Sequence, residues 1–549
     1  MLTVKCIKYY LYILLIIIEL KILYFHSNTI VAHWTTIFII VIAGIISNYI
    51  YTELIENKIG FMIINPIESV LVILTGLILA VIAGIQGMCQ FGGFDHSALI
   101  DISYRVSLGQ IPGKDFPCTM PPLFYLVGSF AIKCFGLYWN SFILVNSIFI
   151  FITFLWIYSL FNNILSNSRK ALFFTILVQA LTTVLVSYWW YNSITTVIAV
   201  IFTLSLYINI QKHAFVYSSI SFVLSLLLLV MTKPNISATL ILGLVFCIVL
   251  FRNLRVKLLL VSAISFILYI LLLQYFGTSI IQLISAYLSI ADRGFSLSQF
   301  MQDMSFMEKI LYSFIIIAVL FPILFVNLKL LVKNINAKLI VLVLAIFAGV
   351  YGFIVNGENK LVDIPLIYIS IFLIYSEFNY KNKLFFKYYT LLGVFLISLA
   401  LGLGFVRDRV KAIGYGVFFE YKTSNTFYKD GFFKGIKSGE VFNVTLKDLD
   451  YINGKLELDK LWFGPRMQWA YAYLNIKPPI NQPSWWHPGV SFPRSKELYY
   501  FDIWKSLNFK YLIFYQSDIT YLPTYMITYI KSNYRYLGGG RYLTILVKR

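Results

Sequence analysis

From Tyr9 to Phe405 the chain alternates long apolar runs with short polar breaks. Crossing about 30 Å of hydrocarbon takes roughly 20 apolar residues as a helix, the one open-chain form that satisfies its own backbone hydrogen bonds in lipid. Runs of this kind fall at 8–25, 33–51, 67–87, 140–163, 171–187, 193–210, 215–231, 236–251, 258–275, 309–328, 339–356, 361–376 and 388–406, which predicts 13 spans. One further apolar run, Pro122 to Phe135, is shorter than a span and is predicted to be an interfacial or re-entrant helix.

The charges in the breaks set the orientation. With Pro122 to Phe135 left out of the count, Lys5 and Lys8, Lys58, Arg169 and Lys170, Lys212, RNLRVK at 252–257, Lys329, Lys333 and Lys338, and Lys381, Lys383 and Lys387 share one side. Lys and Arg collect on the cytoplasmic side of membrane proteins, so that side is the cytoplasm. The outer side then receives residues 88–139, SYWWYN at 187–192, TKPN at 232–235, the loop at 276–308, NGENK at 356–360 and everything after 406. The run from Tyr9 to Phe25 lacks a small-residue cleavage site and is expected to be a first anchor of a cytoplasmic-membrane, multi-pass protein.

After Phe405 the apolar runs stop, and residues 407–549 hold 21 of the 44 Lys and Arg and 11 of the 24 Asp and Glu. This marks a water-facing, extracytoplasmic region of ordinary domain size. KLWFGPR and FKYLIFYQ pattern as strands, TYMITYIKSN as a helix, and YRYLGGGRYLTILVKR as a closing hairpin, which predicts a small α/β domain. Its sequon, Asn443-Val444-Thr445, is exported in this topology.

Composition narrows the picture further. At 59% hydrophobic and 12% charged residues, with a mean hydropathy of +0.80, the chain is no water-soluble globule. The net charge of +20 sits largely at helix ends, where it answers to anionic lipid, and no nucleic-acid-binding motif accompanies it. The five cysteines form no CxxC pair; Cys89 and Cys118, both in the first outer loop, are read as unpaired small apolar residues, with a pair in an oxidising compartment as the alternative.

That loop, GGFDHSALIDISYRVSLGQIPGKDFPCTMPPLFY at 92–125, is the polar exception among the apolar runs. Leu99, Ile102, Val106 and Leu108 predict a helix from Asp95 to Leu108 lying along the membrane surface, with Asp101 and Arg105 as an i,i+4 pair. Gly109, Pro112 and Gly113 break it, and Pro117, Pro121 and Pro122 order the irregular segment that leads to the next short helix. Asp95 at the helix start is open to two roles, an N-cap or a catalytic base. Asp115 suits the ordering of the loop, and His96 suits a polar interfacial position better than a metal site, since two adjacent residues lack a third ligand.

An Asp soon after a core span, a helical stretch ended by small residues, then DF and PPLFYL entering a short helix that ends in FG, resembles the first outer loop of the GT-C glycosyltransferases. That group uses polyprenyl-phosphate sugars and includes the protein O-mannosyltransferases and the aminoarabinose transferase of lipid A. The matching residues are Asp95, Ala98, Gly109, Pro112, Asp115, Phe116, Pro121, Pro122, Leu123 and Tyr125, then Phe135 and Gly136. MTKPN at 231–235 and SYWWYN at 187–192 are weaker echoes on the same face. The chain departs from the family in having Asp95-His96 where many members have Asp-Glu, and Tyr191 and Asn192 in a turn where many have an acid.

The resemblance implies a membrane glycosyltransferase, hexosyl or pentosyl, with residues 1–406 as the catalytic membrane domain. Its partners are a polyprenyl-phosphate sugar donor, membrane lipids and a glycan, lipid or protein acceptor. It implies Asp95 as base, with Lys233 and Arg105 as candidates for the donor-phosphate cations. The outer loop holds no DxD, so no cofactor or metal is required, and a divalent metal stays an open alternative without support in the sequence. Asp115, Tyr125, Tyr191 and Asn192, with Trp462, Arg466, Trp469, Trp485, Trp486 and His487 in the aromatic-rich stretch of the C-terminal region, are candidates for contact with sugar or acceptor. Core packing is the alternative for each single ring. Two rivals stay open: an O-antigen ligase or polymerase, whose working loop comes late in the chain, and a flippase or transporter, which calls for mid-span charges and internal repeats.

Overall fold

The computed structural model describes residues 66–88, 93–186, 188–211, 216–281, 283, 284, 287, 306–325, 335–355, 360–377, 383–414, 428, 430–436, 440–489, 491–515, 518–540 and 542–549. For some of these, Asp95 among them, only the main chain is described. The spans expected at 8–25 and 33–51 lie outside the described residues.

Each remaining predicted run carries a helix. In chain order these are α1 (Pro66–Gly87), α2 (Gly93–Ser107) and α3 (Pro122–Phe135) around the first loop, then α4 (Trp139–Leu165), α5 (Ser168–Gln179), α6 (Tyr191–Gln211), α7 (Val216–Val230) and α8 (Pro234–Leu250). They continue as α9 (Arg252–Tyr275), α10 (Phe306–Leu320), α11 (Ala337–Val355), α12 (Ile364–Glu377) and α13 (Lys383–Gly414). Among the described residues, five helices are long and apolar enough to cross a membrane: Glu68–Gly87, Trp139–Leu165, Tyr191–Gln211, Arg252–Tyr275 and Ala337–Val355. Large apolar side chains such as Val70, Phe246, Leu260, Phe266, Phe314 and Phe347 point outward. A surface of that kind suits lipid rather than water, and the chain is a multi-pass helical membrane protein.

Helix α6 is the hub. It is enclosed along its length, from Asn192 to Asn209, by α4, α7, α8, α11 and α12. Between α5 and α6 the chain makes a π-helical turn at Ala180–Val184, where the buried Gln179 donates to Thr153 Oγ1 on α4 at 2.9 Å. Helix α3 begins with Pro122 at its first position, where the missing N–H costs nothing. It lies close on α2 because residue 128 is glycine: a Cβ there would collide with Ser103 Oγ and stand 2.9 Å from Ser103 Cβ and 3.1 Å from Phe142 Cε1. Gly128→Val is expected to cost about 1–3 kcal/mol through overpacking. An unchanged thermal midpoint in detergent would show that α2 and α3 are not so tightly apposed.

Past residue 427 the described chain forms α14 (Glu440–Lys455), the short α15 (Trp469–Tyr473), α16 (Glu497–Ser506) and α17 (Thr524–Asn533), with strands β1 (Leu461–Phe463), β2 (Tyr511–Tyr515), β3 (Tyr534–Gly538) and β4 (Leu543–Lys548). The strands make one sheet in the order β1-β2-β4-β3. β1 pairs parallel to β2 with Trp462 opposite Leu512, and the closing hairpin pairs β3 and β4 antiparallel. The strands fall in the apolar segments and the closing hairpin that the sequence predicts.

Candidate functional site

The first outer loop is not a surface strip. Leu99 to Arg105 of α2 are buried, against α3 on one side and the chain around α15 on the other. The expectation of a helix lying on the membrane with one wet face is therefore corrected, because the C-terminal segment supplies partners for its polar side. Ser97 Oγ donates to Gln468 Oε1 at 3.3 Å and accepts from the Trp469 amide at 3.1 Å. Tyr104 donates to Asn475 Oδ1 at 3.0 Å, and Gln110 Nε2 to the Pro478 carbonyl at 2.9 Å.

At the centre of this joint is the pair that i,i+4 spacing predicts. Arg105 Nε donates to Asp101 Oδ2 at 2.8 Å, with both side chains essentially unexposed. The guanidinium also donates to Gln110 Oε1 and, at 2.7 Å, to the Pro479 carbonyl, and it lies 5.1 Å from the centre of the Phe116 ring. Arg105 is thus committed to holding two parts of the chain together. Burial pushes the Asp101 carboxyl up to about 6, although the neighbouring guanidinium pulls it the other way. Asp115 accepts the Ile111 amide on Oδ2 at 2.7 Å, the loop-ordering role its position suggests, and Gly109 and Gly113 take the left-handed conformation (φ +85° and +80°) that ends α2 and turns the loop.

Asp95 falls in the first turn of α2, two residues after its start at Gly93, so it lies within the helix rather than at the N-cap; its side chain lies outside the described residues. Its neighbours are well anchored, with Ser97 held as above. His96 is not the polar interfacial residue that the sequence suggests. It is buried, its ring 4.0 Å edge-on from Tyr188 and 4.9 Å from Trp139, and burial pushes its imidazole down to about 3, so it is neutral.

The three family-like stretches meet. The Leu123 amide of PPLFYL donates to the carbonyl of Met231 in MTKPN at 3.1 Å, and Trp189 of SYWWYN donates through Nε1 to the Phe124 carbonyl at 3.2 Å. The Phe124 ring lies 6.1 Å from Tyr191. Lys233, the residue ahead of α8, reaches back to the start of α6, where its Nζ donates to Asn192 Oδ1 at 3.0 Å and lies 5.4 Å from the centre of the Tyr191 ring. Lys233, Tyr191 and Asn192 are therefore assembled as one group, with Asn192 buried and the other two half-buried. Tyr125 is enclosed, one turn into α3.

Sequence reasoning missed one member of this neighbourhood. Asp363, in the 3-10 turn Lys360–Asp363 that leads into α12, is buried and accepts from Thr196 Oγ1, one turn along α6 from Asn192, at 2.9 Å. A signal for it exists in the chain: a single acid set into the apolar approach to a span.

The C-terminal candidates divide. Trp462, Trp469 and Trp486 are packed in the protein interior, where their rings are most fully removed from water. Arg466, with φ +66°, forks onto Asp518, its Nε at 2.7 Å from Oδ2. Trp485 and His487 are half-buried and meet edge to face at 4.6 Å. Among the described residues no group of three His, Cys, Asp or Glu is placed to hold a metal, and Cys118 is free.

Comparison with known structures fixes the architecture. The crystal structure of ArnT from Cupriavidus metallidurans bound to undecaprenyl phosphate matches with a TM-score of 0.50 and 13% identity, over 87% of this chain and 97% of that one. The chain has a GT-C fold. The apo form of the same ArnT matches with a TM-score of 0.40 and 12% identity over 87% and 97% of the two chains. The Archaeoglobus fulgidus oligosaccharyltransferase matches with a TM-score of 0.40 and 13% identity over 86% and 72%. No family model matches the sequence, and no curated protein matches it by sequence.

Proposed function

We propose that this protein is an integral membrane glycosyltransferase that moves a hexosyl or pentosyl unit from a polyprenyl-phosphate donor to a glycan, lipid or protein acceptor. The reaction takes place at the outer face of the cytoplasmic membrane, with the C-terminal region extracytoplasmic. One observation carries the proposal: PPLFYL, SYWWYN and MTKPN, far apart in the chain, converge and hold the Lys233 ammonium on Asn192. A polyprenyl phosphate keeps its lipid in the bilayer and its phosphate at the interface, so its enzyme needs a cation at that depth. The undecaprenyl phosphate bound to ArnT, which shares the fold, supports this donor class.

In this scheme the Asp95 carboxylate takes the proton of the acceptor hydroxyl while its oxygen attacks the anomeric carbon. The bond from that carbon to the phosphate oxygen breaks, and Lys233 steadies the charge that the phosphate gains. No step calls for a metal. Arg105 serves by holding α2, which carries Asp95, against the C-terminal segment.

The test is transfer by the full-length protein in nanodiscs from a labelled polyprenyl-phosphate sugar. Lys233→Gln is expected to lower kcat/KM roughly 100-fold, the scale set by loss of one preorganised donor to a developing anion. Transfer undiminished by that substitution would remove Lys233 from the scheme, and absence of transfer from every polyprenyl-phosphate sugar would end the proposal.

A further inference from the structure

Asp363 sits at the approach to α12 with its side chain 1% exposed. A carboxylate taken out of water is costly unless hydrogen bonds replace its hydration, and here its place is built from two directions. Thr196 Oγ1 donates to Oδ1 at 2.9 Å. On α11, Gly352 leaves room that any side chain would fill, since a Cβ there would stand 2.7 Å from both Cγ and Oδ1 of Asp363. Three helices are thus fitted around one acid. A threonine inside a helix by default returns its hydroxyl to the carbonyl four residues back. For Thr196 that carbonyl belongs to Asn192 and stands 3.3 Å away, so the shorter contact is to Asp363.

The residues beside and one turn before Thr196 face the cation. Asn192 accepts the Lys233 ammonium at 3.0 Å, and Thr195 Oγ1 accepts the Lys233 amide at 3.4 Å. The first two turns of α6 therefore hold Lys233 through Asn192 and Thr195 and Asp363 through Thr196, whose hydroxyl also lies 3.3 Å from the Asn192 carbonyl.

We propose that Asp363 is a positioning residue for lipid-phosphate binding: acting through Thr196, it fixes the first turn of α6, and so Asn192, where the Lys233 ammonium is presented to the phosphate. The phosphate role of Lys233 is taken from the proposed function, and the assignment of Asp363 deepens it. Asp363 itself touches neither lipid nor sugar.

The test measures binding apart from transfer. Undecaprenyl phosphate is titrated into the full-length protein in nanodiscs, and transfer is followed in parallel. Asp363→Asn and Thr196→Val are each expected to weaken binding roughly tenfold, the scale of one buried hydrogen bond. Donor kcat/KM should fall by at least the same factor, since the displaced ammonium also steadies the leaving phosphate less well. In a Lys233→Gln background both effects should vanish, because nothing remains to be positioned. Losses that multiply in the double variants would overturn the proposal, as would wild-type binding by Thr196→Val. Should Asp363→Asn fail to fold, Thr196→Val, which keeps the side-chain shape and removes the hydroxyl, decides alone. An intact binding cycle without transfer by the wild type would overturn the proposed enzyme and leave Asp363 assigned; wild-type binding by Lys233→Gln would remove Lys233 from the scheme and overturn the assignment of Asp363 while leaving the enzyme standing.

Discussion

Replacing Asp95 by asparagine is expected to abolish sugar transfer while leaving the protein folded and able to bind undecaprenyl phosphate. The substitution preserves shape and removes the capacity to take a proton. General-base catalysis contributes roughly 100- to 10,000-fold to a rate, so the residual activity should fall within or below that interval. Asp95 occupies the first turn of α2, between a helix start at Gly93 and a run of buried residues from His96 onward. The next two residues are fixed, His96 by Tyr188 and Trp139, and Ser97 by Gln468 and Trp469. The turn is thus held by its surroundings, and asparagine keeps the shape of the side chain, which is why it should change the chemistry without changing the fold. Transfer by Asp95→Asn at the wild-type rate, with comparable expression, would exclude the residue as the base.

Arg105→Met is expected to have the larger effect on stability. It leaves the Asp101 carboxylate buried and unpaired, and breaking a buried ion pair from one side costs about 3–5 kcal/mol. The same change removes the hydrogen bonds to Gln110 and Pro479, so the first outer loop should loosen from the C-terminal segment and protease should gain access near 478–482. Converting both partners to apolar residues, Asp101→Leu with Arg105→Met, should recover most of the midpoint, since no unpaired charge is left.

A pH dependence arises from the raised Asp101 carboxyl. With a folded-state value of about 6 against 3.8, the folded protein keeps a proton that the unfolded chain has released between those values. The stability from that proton is complete below the lower value and is lost as pH rises through the upper one. Arg105→Met removes the guanidinium that holds the carboxyl down, so the loss should move to higher pH. Thermal midpoints measured from pH 5 to 8 would reveal it, and identical profiles for the two proteins would refute the coupling.

Periodicity and charge make much of this molecule legible in its sequence. Long apolar runs can only be helices in lipid, so the positions of α1 and of α4 to α13 follow from composition along the chain. The short apolar runs in KLWFGPR and FKYLIFYQ mark two strands, and the glycines at 538–540 mark the closing turn. The i,i+4 spacing marks the Asp101–Arg105 pair, because helical geometry is local. What the pattern misjudges is environment. It reads α2 as half-wet, His96 as polar and Asp95 as a candidate cap, yet α2 and His96 have their surroundings set by residues distant in the chain, and Asp95 lies inside its helix.

By itself, then, the sequence determined a helical membrane bundle, its breaks, a terminal region of strands and helices, and the short stretches with chemical promise. Only the tertiary structure decided that PPLFYL, SYWWYN and MTKPN meet, that Arg105 ties the first loop to Pro479, and that Asp363 reaches Thr196. The physical reason is that helix and strand formation depend on neighbours within a turn or two along the chain. Burial and partnership of a polar group depend on which distant surface covers it, and single-sequence periodicity does not encode that.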